Sequence, residues 1–340
     1  MYWAWAAAFL LKLIGATADA SWHFKHLRES IATWPHAINA VGFALGDCLF
    51  AYQLIKRRYA DLRAIRTTWA GIALFLIAIP LDDWYHRTYG IDLTSWSPTH
   101  ALLYLGTFLM LAGTAADFLK SQQAKANPRA ALWLSSIFCL FVMEDILFPL
   151  VQQEYGAVTV WAFAHGRQIV DADLLALIKD PFLQTYGSLP LWLYPVYLVG
   201  AYLFCMGMAR RFIPHRWAAT IATTAYLLFR LVARELLGSA GLPVSFIPYF
   251  TLGMAVVVDL CANHLSGWSR TVLGAVLATG LAYGAAFLWK GIAIMPIWPQ
   301  ESLWMAMIAG LFGLAFGGWA ATAWLGEQQA VRAADAHTAA

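Results

Sequence analysis

Apolar stretches of about 20 residues recur along almost the whole chain, and this recurrence limits the fold more than any other feature. A helix needs about that many apolar residues to cross the hydrocarbon core of a bilayer, where every backbone polar group must be paired within the chain. Ten such stretches can be read, near residues 2–18, 32–55, 67–86, 98–119, 130–151, 188–209, 217–237, 243–264, 270–290 and 301–325. The sequence therefore predicts an all-α, polytopic integral membrane helix bundle of about ten transmembrane helices, with the lipid bilayer around it.

The composition agrees with a membrane protein and argues against a nucleic-acid partner. Of the 340 residues, 61% are hydrophobic and only 12% are charged, and the mean hydropathy is +0.61. The net charge of +3 comes without any basic run interleaved with aromatic residues outside the short loops, so no nucleic acid is expected to bind. The four cysteines lie far apart in apolar runs without a CxxC pair, which predicts small buried side chains rather than a disulfide framework or a thiolate metal site.

Basic residues cluster in four loops that a ten-helix order places on one side of the membrane. Lysine and arginine stay on the cytoplasmic side during insertion. The clusters are Lys56, Arg57, Arg58, Arg63 and Arg66; Lys120, Lys125 and Arg129; Arg210, Arg211 and Arg216; and Arg270. We therefore expect a multi-pass protein of the cell (inner) membrane with both termini cytoplasmic.

The domain organisation follows from the same reading. One transmembrane domain is expected over residues 1–325, with an outer loop at 152–190 and a disordered cytoplasmic tail at 326–340. The first stretch contains Lys12 and ends in a sequence like a signal-peptidase site, but it lacks the basic leader of a signal peptide. It is therefore interpreted as a retained helix.

An acid and two histidines occur twice with nearly the same spacing. The pattern is D-x3-H-x12-H in the first copy and D-x3-H-x13-H in the second. The residues are Asp19, His23 and His36 in the first copy and Asp82, His86 and His100 in the second. In each copy the acid and first histidine lie one helical turn apart, and a proline opens the next span just before the last histidine.

The spacing predicts a duplicated helical hairpin at the N-terminal end of the bundle. The hairpins would comprise residues 2–55 and 67–119, and both run in the same direction. They would be related by an axis along the membrane normal, as in other duplicated membrane folds. Each hairpin would bring its acid and two imidazoles together at the outer end.

One carboxylate and two neutral imidazoles form a ligand set for a divalent transition metal. Nitrogen and oxygen ligands without thiolate suit copper(II), zinc or non-haem iron. Other ionisable residues are expected at the same depth, facing the bundle interior, where they would form a second shell around the metal. They are His26, Asp83, Glu144, Asp145, Arg230, Arg234 and Glu235.

The pattern of Asp19, His23 and His36 resembles the copper-ligand pattern of the membrane-embedded C subunit of the particulate methane and ammonia monooxygenases. The resemblance covers only the hairpin ends. It implies a copper site toward the extracytoplasmic side and the oxidation of a small apolar or lipid-like substrate, with Asp82, His86 and His100 as a counterpart ligand set. Copper is also favoured because it stands at the top of the divalent affinity order for such ligands.

Three other functions remain open from the sequence. The same residues could hold zinc in a membrane hydrolase. They could form a vestibule of a cation or proton-coupled transporter, with Asp47 as the acid nearest the middle of a span. A non-catalytic structural subunit would instead use the acids to neutralise Arg230 and Arg234. A b-type haem is disfavoured because the histidines straddle a proline turn, and the sequence does not specify a redox donor or a membrane protein partner.

Overall fold

The computed structural model describes residues 1–23, 33–89, 98–147, 192–242, 244–245, 247–289 and 298–325. Over these residues the chain is all-α, as expected. The helices are α1 Tyr2–His23, α2 Trp34–Ile55, α3 Leu62–Tyr89, α4 Pro98–Lys120, α5 Gln122–Ala126, α6 Pro128–Leu147, α7 Leu193–Phe212, α8 Ala218–Ser239, α9 Phe250–His264, α10 Gly267–Trp289 and α11 Leu303–Leu325. A 3-10 turn, Gln300–Ser302, precedes α11. The expected outer loop at 152–190 and tail at 326–340 lie outside the described residues.

Seven of these helices are long and apolar enough to cross a membrane, which makes the chain a multi-pass membrane protein. They are α2, α3, α4, α6, α7, α10 and α11. The other three expected spans coincide with α1, α8 and α9. Helix α1 contains Lys12 and Asp19, α8 contains three charged residues in its second half, and α9 has only 15 residues.

Helix α1 packs into the bundle along one face, while Trp3, Leu10 and Ile14 on its other face are exposed. It contacts α2, α4, α6 and α8. Its side chains Trp5, Phe9 and Leu13 are buried, and so is the Lys12 side chain, which is only 5% exposed. Contacts with other helices explain how a helix with a lysine in its middle is accommodated in an apolar bundle.

Glycines allow three helix pairs to approach until their backbones touch. A Cβ atom on Gly42 of α2 would lie 2.5 Å from the backbone nitrogen of Lys12 in α1, and one on Gly106 of α4 would lie 2.9 Å from that of Phe75 in α3. Between α7 and α11, a Cβ on Gly317 would lie 2.0 Å from the Phe204 carbonyl oxygen. Small residues at such contacts let backbones pack closely in membranes, where no hydrophobic effect drives helices together.

A buried carboxylate ties the first four helices together at one end of the bundle. Asp117, near the end of α4, is 1% exposed. Its Oδ2 accepts hydrogen bonds from the Tyr2 hydroxyl at 2.9 Å and from Gln53 Nε2 at 3.2 Å. Its Oδ1 accepts from the backbone N–H groups of Ala60 at 2.7 Å and Asp61 at 3.0 Å. The starts of α1 and α3 therefore meet the ends of α2 and α4.

Asp61, just before α3, strengthens this end, which we call the basic end because Arg57, Arg58 and Lys120 lie near it. Burial raises the pKa of Asp61, but hydrogen bonds from Lys120 Nζ and the Arg63 backbone N–H, with the charges of both residues, lower the pKa below its ordinary value. The ionised Asp61 thus joins the start of α3 to the end of α4.

Two expectations about the chain need correction. Helix α3 begins at Leu62 and not at 67. Asp61 caps its first turn by accepting a hydrogen bond from the Arg63 backbone N–H. The arginines of this turn are typical of a loop, which is why the sequence predicted a later start. Cys48 is exposed on α2, so the interpretation of all four cysteines as buried was wrong for this one.

Candidate metal centre

The end of the bundle opposite Asp117 holds two contacts between an aspartate and a histidine. Helices α1 and α3 end there and α2 and α4 begin there. We call it the ligand end and define it by Asp19, His36, Asp82 and His100. It is the end at which the sequence pattern predicts the metal ligands.

In the first contact, Asp19 on α1 meets His36 on α2. The His36 Nε2 atom lies 3.4 Å from the Asp19 Oδ1 atom, and the two side chains are 34% and 21% exposed. The other ring nitrogen, Nδ1, lies 2.8 Å from the hydroxyl of Thr33, which is the N-cap residue of α2. When Nδ1 donates to Thr33, Nε2 carries the free lone pair on the side of Asp19.

In the second contact, Asp82 on α3 meets His100 on α4. The His100 Nε2 atom lies 3.5 Å from the Asp82 Oδ2 atom, and the side chains are 15% and 16% exposed. Pro98 begins α4 as expected, so His100 is the third residue of that helix. The His100 ring also lies 6.4 Å, centroid to centroid, from the ring of Tyr104, one turn further along α4.

The third expected ligand of each set cannot be added to these contacts. His23 and His86 belong to α1 and α3, but their side chains lie outside the described residues, and so does all of His26. Among the side chains that the structure describes, no group of three or more histidine, cysteine, aspartate or glutamate residues is close enough to hold a metal ion. The described part of each expected set is therefore one carboxylate and one imidazole.

The separations within both pairs fit two ligands on one ion. Ligand atoms bound at ~2.0–2.2 Å to one ion at a tetrahedral angle lie about 3.3–3.6 Å apart. The observed 3.4 and 3.5 Å fall in that range, and both exceed the usual length of a charge-assisted hydrogen bond, ~2.7–2.9 Å. For cis ligands of tetragonal copper(II) the atoms would approach to about 2.8–3.1 Å, a small rotation of either side chain.

Of the residues expected beside the metal, Asp83 is half-buried and Glu235 is exposed. Asp83 pairs with Arg87 one turn further along α3, with Arg87 NH2 2.8 Å from Asp83 Oδ2 and the Arg87 side chain 75% exposed. Glu235 on α8 is exposed. The helical period explains both positions, since Asp83 is rotated about 100° from Asp82 and Glu235 faces away from the buried Arg230.

Glu144 and Arg230 form a buried ion pair deeper in the bundle. Both side chains are 1% exposed, and Arg230 NH1 lies 3.1 Å from Glu144 Oε1. The same oxygen accepts from the Thr17 hydroxyl at 3.1 Å, Arg230 NH2 donates to the Ser245 hydroxyl, and Arg234 NH1 lies 3.4 Å from the Ser245 carbonyl oxygen. This network joins α1, α6 and α8 to the segment that precedes α9.

A second buried cation, Lys12, lies nearby. Lys12 Nζ is 3.2 Å from Asn39 Oδ1 on α2 and 3.8 Å from the centroid of the Phe75 ring on α3. Asp145 on α6 is 4% exposed, and its charge interacts with that of Lys12. Asp145 was expected beside the metal, but its described surroundings are Lys12 and a cavity of the bundle.

Four residues in the contacts described above had no predicted role at the site. They are Lys12, Thr17, Thr33 and Ser245. Thr33 carried a usable signal, because a threonine at the N-cap three residues before a histidine can reach that histidine's ring. Ser97 stands three residues before His100 in the same way and lies outside the described residues. No local sequence pattern predicts the contacts of Lys12, Thr17 and Ser245, because these contacts depend on which helices pack together.

Comparisons of the chain with protein-family models, curated proteins and solved structures give no match.

Proposed function

We propose that this protein is a metal-dependent integral membrane oxidoreductase, with copper as the favoured metal, that acts on a small apolar or lipid-like substrate at the extracytoplasmic face. The observation that carries the proposal is the repeated contact between an aspartate oxygen and a histidine Nε2 at the ligand end, at 3.4 and 3.5 Å. In each hairpin, His23 or His86 would supply the second imidazole.

Packing inside the hairpins supports their origin by duplication. The Asp–His pairs are offset by 63 residues in their first helices and by 64 in their second. The same offsets relate Gly42 and its neighbour Lys12 to Gly106 and its neighbour Phe75, whose backbones meet in the same way. Lys12 Nζ lies over the Phe75 ring, so these equivalent positions face each other, as residues near a pseudo-twofold axis do.

We further propose that all the described helices except the five-residue α5, ten in number, cross the membrane and that the basic end is cytoplasmic. Ten crossings leave both termini on one side, and the positive residues near Asp117 mark that side as the inner one. The ligand end then faces the extracytoplasmic side of the cell membrane, at the headgroup level. Helices α1 and α8 can cross because Lys12 of α1 and Arg230 of α8 have polar partners inside the bundle.

The chain's own residues would perform three tasks. Asp19 and Asp82 supply charge that balances the ion, His36 and His100 orient their Nε2 atoms toward it, and Thr33 fixes the His36 ring. The bound metal would supply the activation of dioxygen. If the reaction is hydroxylation, RH and O2 with two electrons and two protons give ROH and water, so an electron donor is also required.

Metal content tests the proposal directly. The His36→Ala, His100→Ala double variant is expected to lose most of the copper that co-purifies with the wild type, as measured by elemental analysis after reconstitution and desalting. A His215→Ala, His264→Ala double variant is the matched control and should keep its copper, because these histidines lie outside the ligand end. Equal copper in all three proteins would rule the metal site out.

Spectra and flux separate the proposal from its alternatives. A copper(II) EPR signal that the ligand variant lacks supports the oxidoreductase. Zinc retained without such a signal would favour the membrane hydrolase. Ion flux in proteoliposomes that stops in an Asp47→Asn variant would favour the transporter. The absence of metal and of flux, with the fold intact, would leave the structural subunit.

A further inference from the structure

A cavity of about 580 Å³ lies between α4, α6, α7 and α11, beside the second Asp–His pair. This volume is in the range of small-molecule sites, ~300–1,000 Å³. Its apolar wall includes Leu105, Phe108, Leu193, Val196, Phe204 and Ala309. The wall on α7 extends from Leu193 to Phe204, about 16 Å at ~1.5 Å rise per residue. A twelve-carbon chain therefore fits along it.

The cavity opens at the outside of the bundle. Leu105 at its rim is 47% exposed on α4, one of the helices that can cross the membrane. An apolar molecule can therefore reach the cavity from the lipid without crossing water. Because lipid tails are as apolar as the wall, the chain of such a molecule gains little free energy by moving from the bilayer into the cavity. Selectivity must come from a polar group.

Asp145 is the charged residue of the wall. Its side chain is 4% exposed, and its Oδ2 atom has no hydrogen-bond partner among the described residues. A buried carboxylate oxygen without a partner costs free energy that a ligand's donor group recovers. The aromatic residue beside it, Tyr197, does not supply that donor, because its hydroxyl donates to the Ile146 carbonyl oxygen at 2.7 Å.

The charge around Asp145 favours a neutral donor. Lys12 is already an electrostatic partner of Asp145 from within the bundle. A cationic ligand would be attracted by Asp145 but would bring a second positive charge next to Lys12, and an anionic ligand would be repelled by Asp145 and Glu144. A hydroxyl group donates one hydrogen bond and brings no charge into this low-dielectric region.

We propose that this cavity binds a neutral long-chain alcohol, whose hydroxyl donates a hydrogen bond to the Asp145 carboxylate and whose chain lies along α4 and α7. The ring of Tyr104, which also lines the cavity, is 6.4 Å from the ring of His100. The cavity thus begins one helical turn from the second Asp–His pair. Its use as the substrate or product cavity of that metal site rests on the proposed function, whereas the binding of the alcohol does not.

The experiment uses the full chain, stripped of metal, in phosphatidylcholine nanodiscs. Three photoreactive probes with the same diazirine-bearing twelve-carbon chain are compared: an alcohol, an alkane and an amine. Labelled peptides are mapped by mass spectrometry. The alcohol is expected to label α4, α7 and α11, and excess dodecanol should suppress this labelling while dodecane does not. Equal suppression by dodecanol and dodecane, or stronger labelling by the amine than by the alcohol, would overturn the proposal.

Variants assign the site. Asp145→Leu is expected to lower alcohol labelling on the order of tenfold and to leave alkane labelling unchanged, because it removes a charged acceptor. Asp145→Asn keeps a hydrogen-bond acceptor and should lower alcohol labelling less than Asp145→Leu does. Leu105→Trp fills the cavity mouth and should lower labelling by both probes, whereas Leu277→Trp, the same change at an exposed leucine of α10, should not.

These variants keep the test decisive. If Asp145→Leu does not fold, the comparison of Leu105→Trp with Leu277→Trp still tests the site. Labelling that is unchanged in Asp145→Leu, or equal in the two tryptophan variants, contradicts the site. The labelling uses metal-free protein, so its result does not depend on the metal proposal. The copper assay likewise does not depend on alcohol binding.

Discussion

Two buried aspartates away from the ligand end, Asp117 and Asp259, have both carboxylate oxygens bound by donors of the protein. Asp117 accepts from two side chains and two backbone N–H groups at the basic end. Asp259 on α9 is fully buried and binds the first turn of α8 together with Arg210 of α7. A charge can remain in an apolar bundle when every lone pair is used in this way. Such saturation indicates a structural role, whereas Asp145 keeps an oxygen without a partner among the described residues.

Replacement of Asp259 tests this distinction between saturated and unsaturated carboxylates. Asp259→Ala leaves Arg210 and the backbone N–H groups of Ala219 and Thr220 without their acceptor, so we expect a loss of about 3 kcal/mol in the free energy of unfolding. The measurement is thermal unfolding in detergent. Asp83→Ala, which removes only an exposed pair with Arg87, should change it by less than about 0.5 kcal/mol. Similar effects of the two changes would refute this reading of Asp259.

At the scale of helices, close glycine contacts set the geometry of the candidate site. The Gly106 contact fixes the distance between α3 and α4, and these helices carry Asp82 and His100. The same holds for Gly42 between α1 and α2. A larger residue at either position must push the helices apart, because the atoms it meets are backbone atoms that cannot rotate away.

Gly106→Val is therefore expected to destabilise the protein by about 1–3 kcal/mol, the usual cost of overpacking, and to weaken metal binding. The first effect is followed by thermal unfolding and the second by copper titration. Gly280→Val is the control, because a Cβ at Gly280 of α10 meets no atom of the described residues within 4 Å. If Gly106→Val binds copper as the wild type does, the helix spacing does not set the site.

At the scale of the whole molecule, the orientation in the membrane decides what the ligand end can do. Exposed apolar side chains such as Phe312, Phe316 and Trp319 cover the outer face of α11. They fit a surface in contact with lipid. The proposed orientation follows from the basic residues alone.

Cysteine labelling checks that orientation. In a background with the four native cysteines replaced, Gln123→Cys, at an exposed position of α5 beside the basic end, should react with an impermeant maleimide only in inside-out vesicles. Arg87→Cys near the ligand end should react only in right-side-out vesicles, because Arg87 is exposed on the opposite end of α3. The reverse pattern would move the candidate site to the cytoplasm and remove the argument for an extracytoplasmic substrate.

The sequence predicted the positions of the helices better than it predicted which helices pack against each other. Each of the ten apolar stretches overlaps a helix, and the prolines correctly marked the starts of α2 and α4, because hydropathy and proline geometry are local properties. The Asp–His contacts were predictable because a hairpin places its two ends together. The contacts of Lys12 with Asn39 and Phe75, and of Glu144 with Arg230, were not, since hydropathy does not specify which helices become neighbours.

The Asp117 junction also constrains the order in which the chain can mature. Tyr2 and its partner Asp117 are separated by 115 positions, so the first helix cannot form this contact until the fourth has been synthesised. At ~5–20 residues per second, that interval is about 6–23 seconds. During it, the Lys12 contacts already synthesised are Asn39 of α2 and, later, Phe75 of α3. Helix α1 is thus synthesised before α4 but forms its contact with Asp117 only after α4 is made.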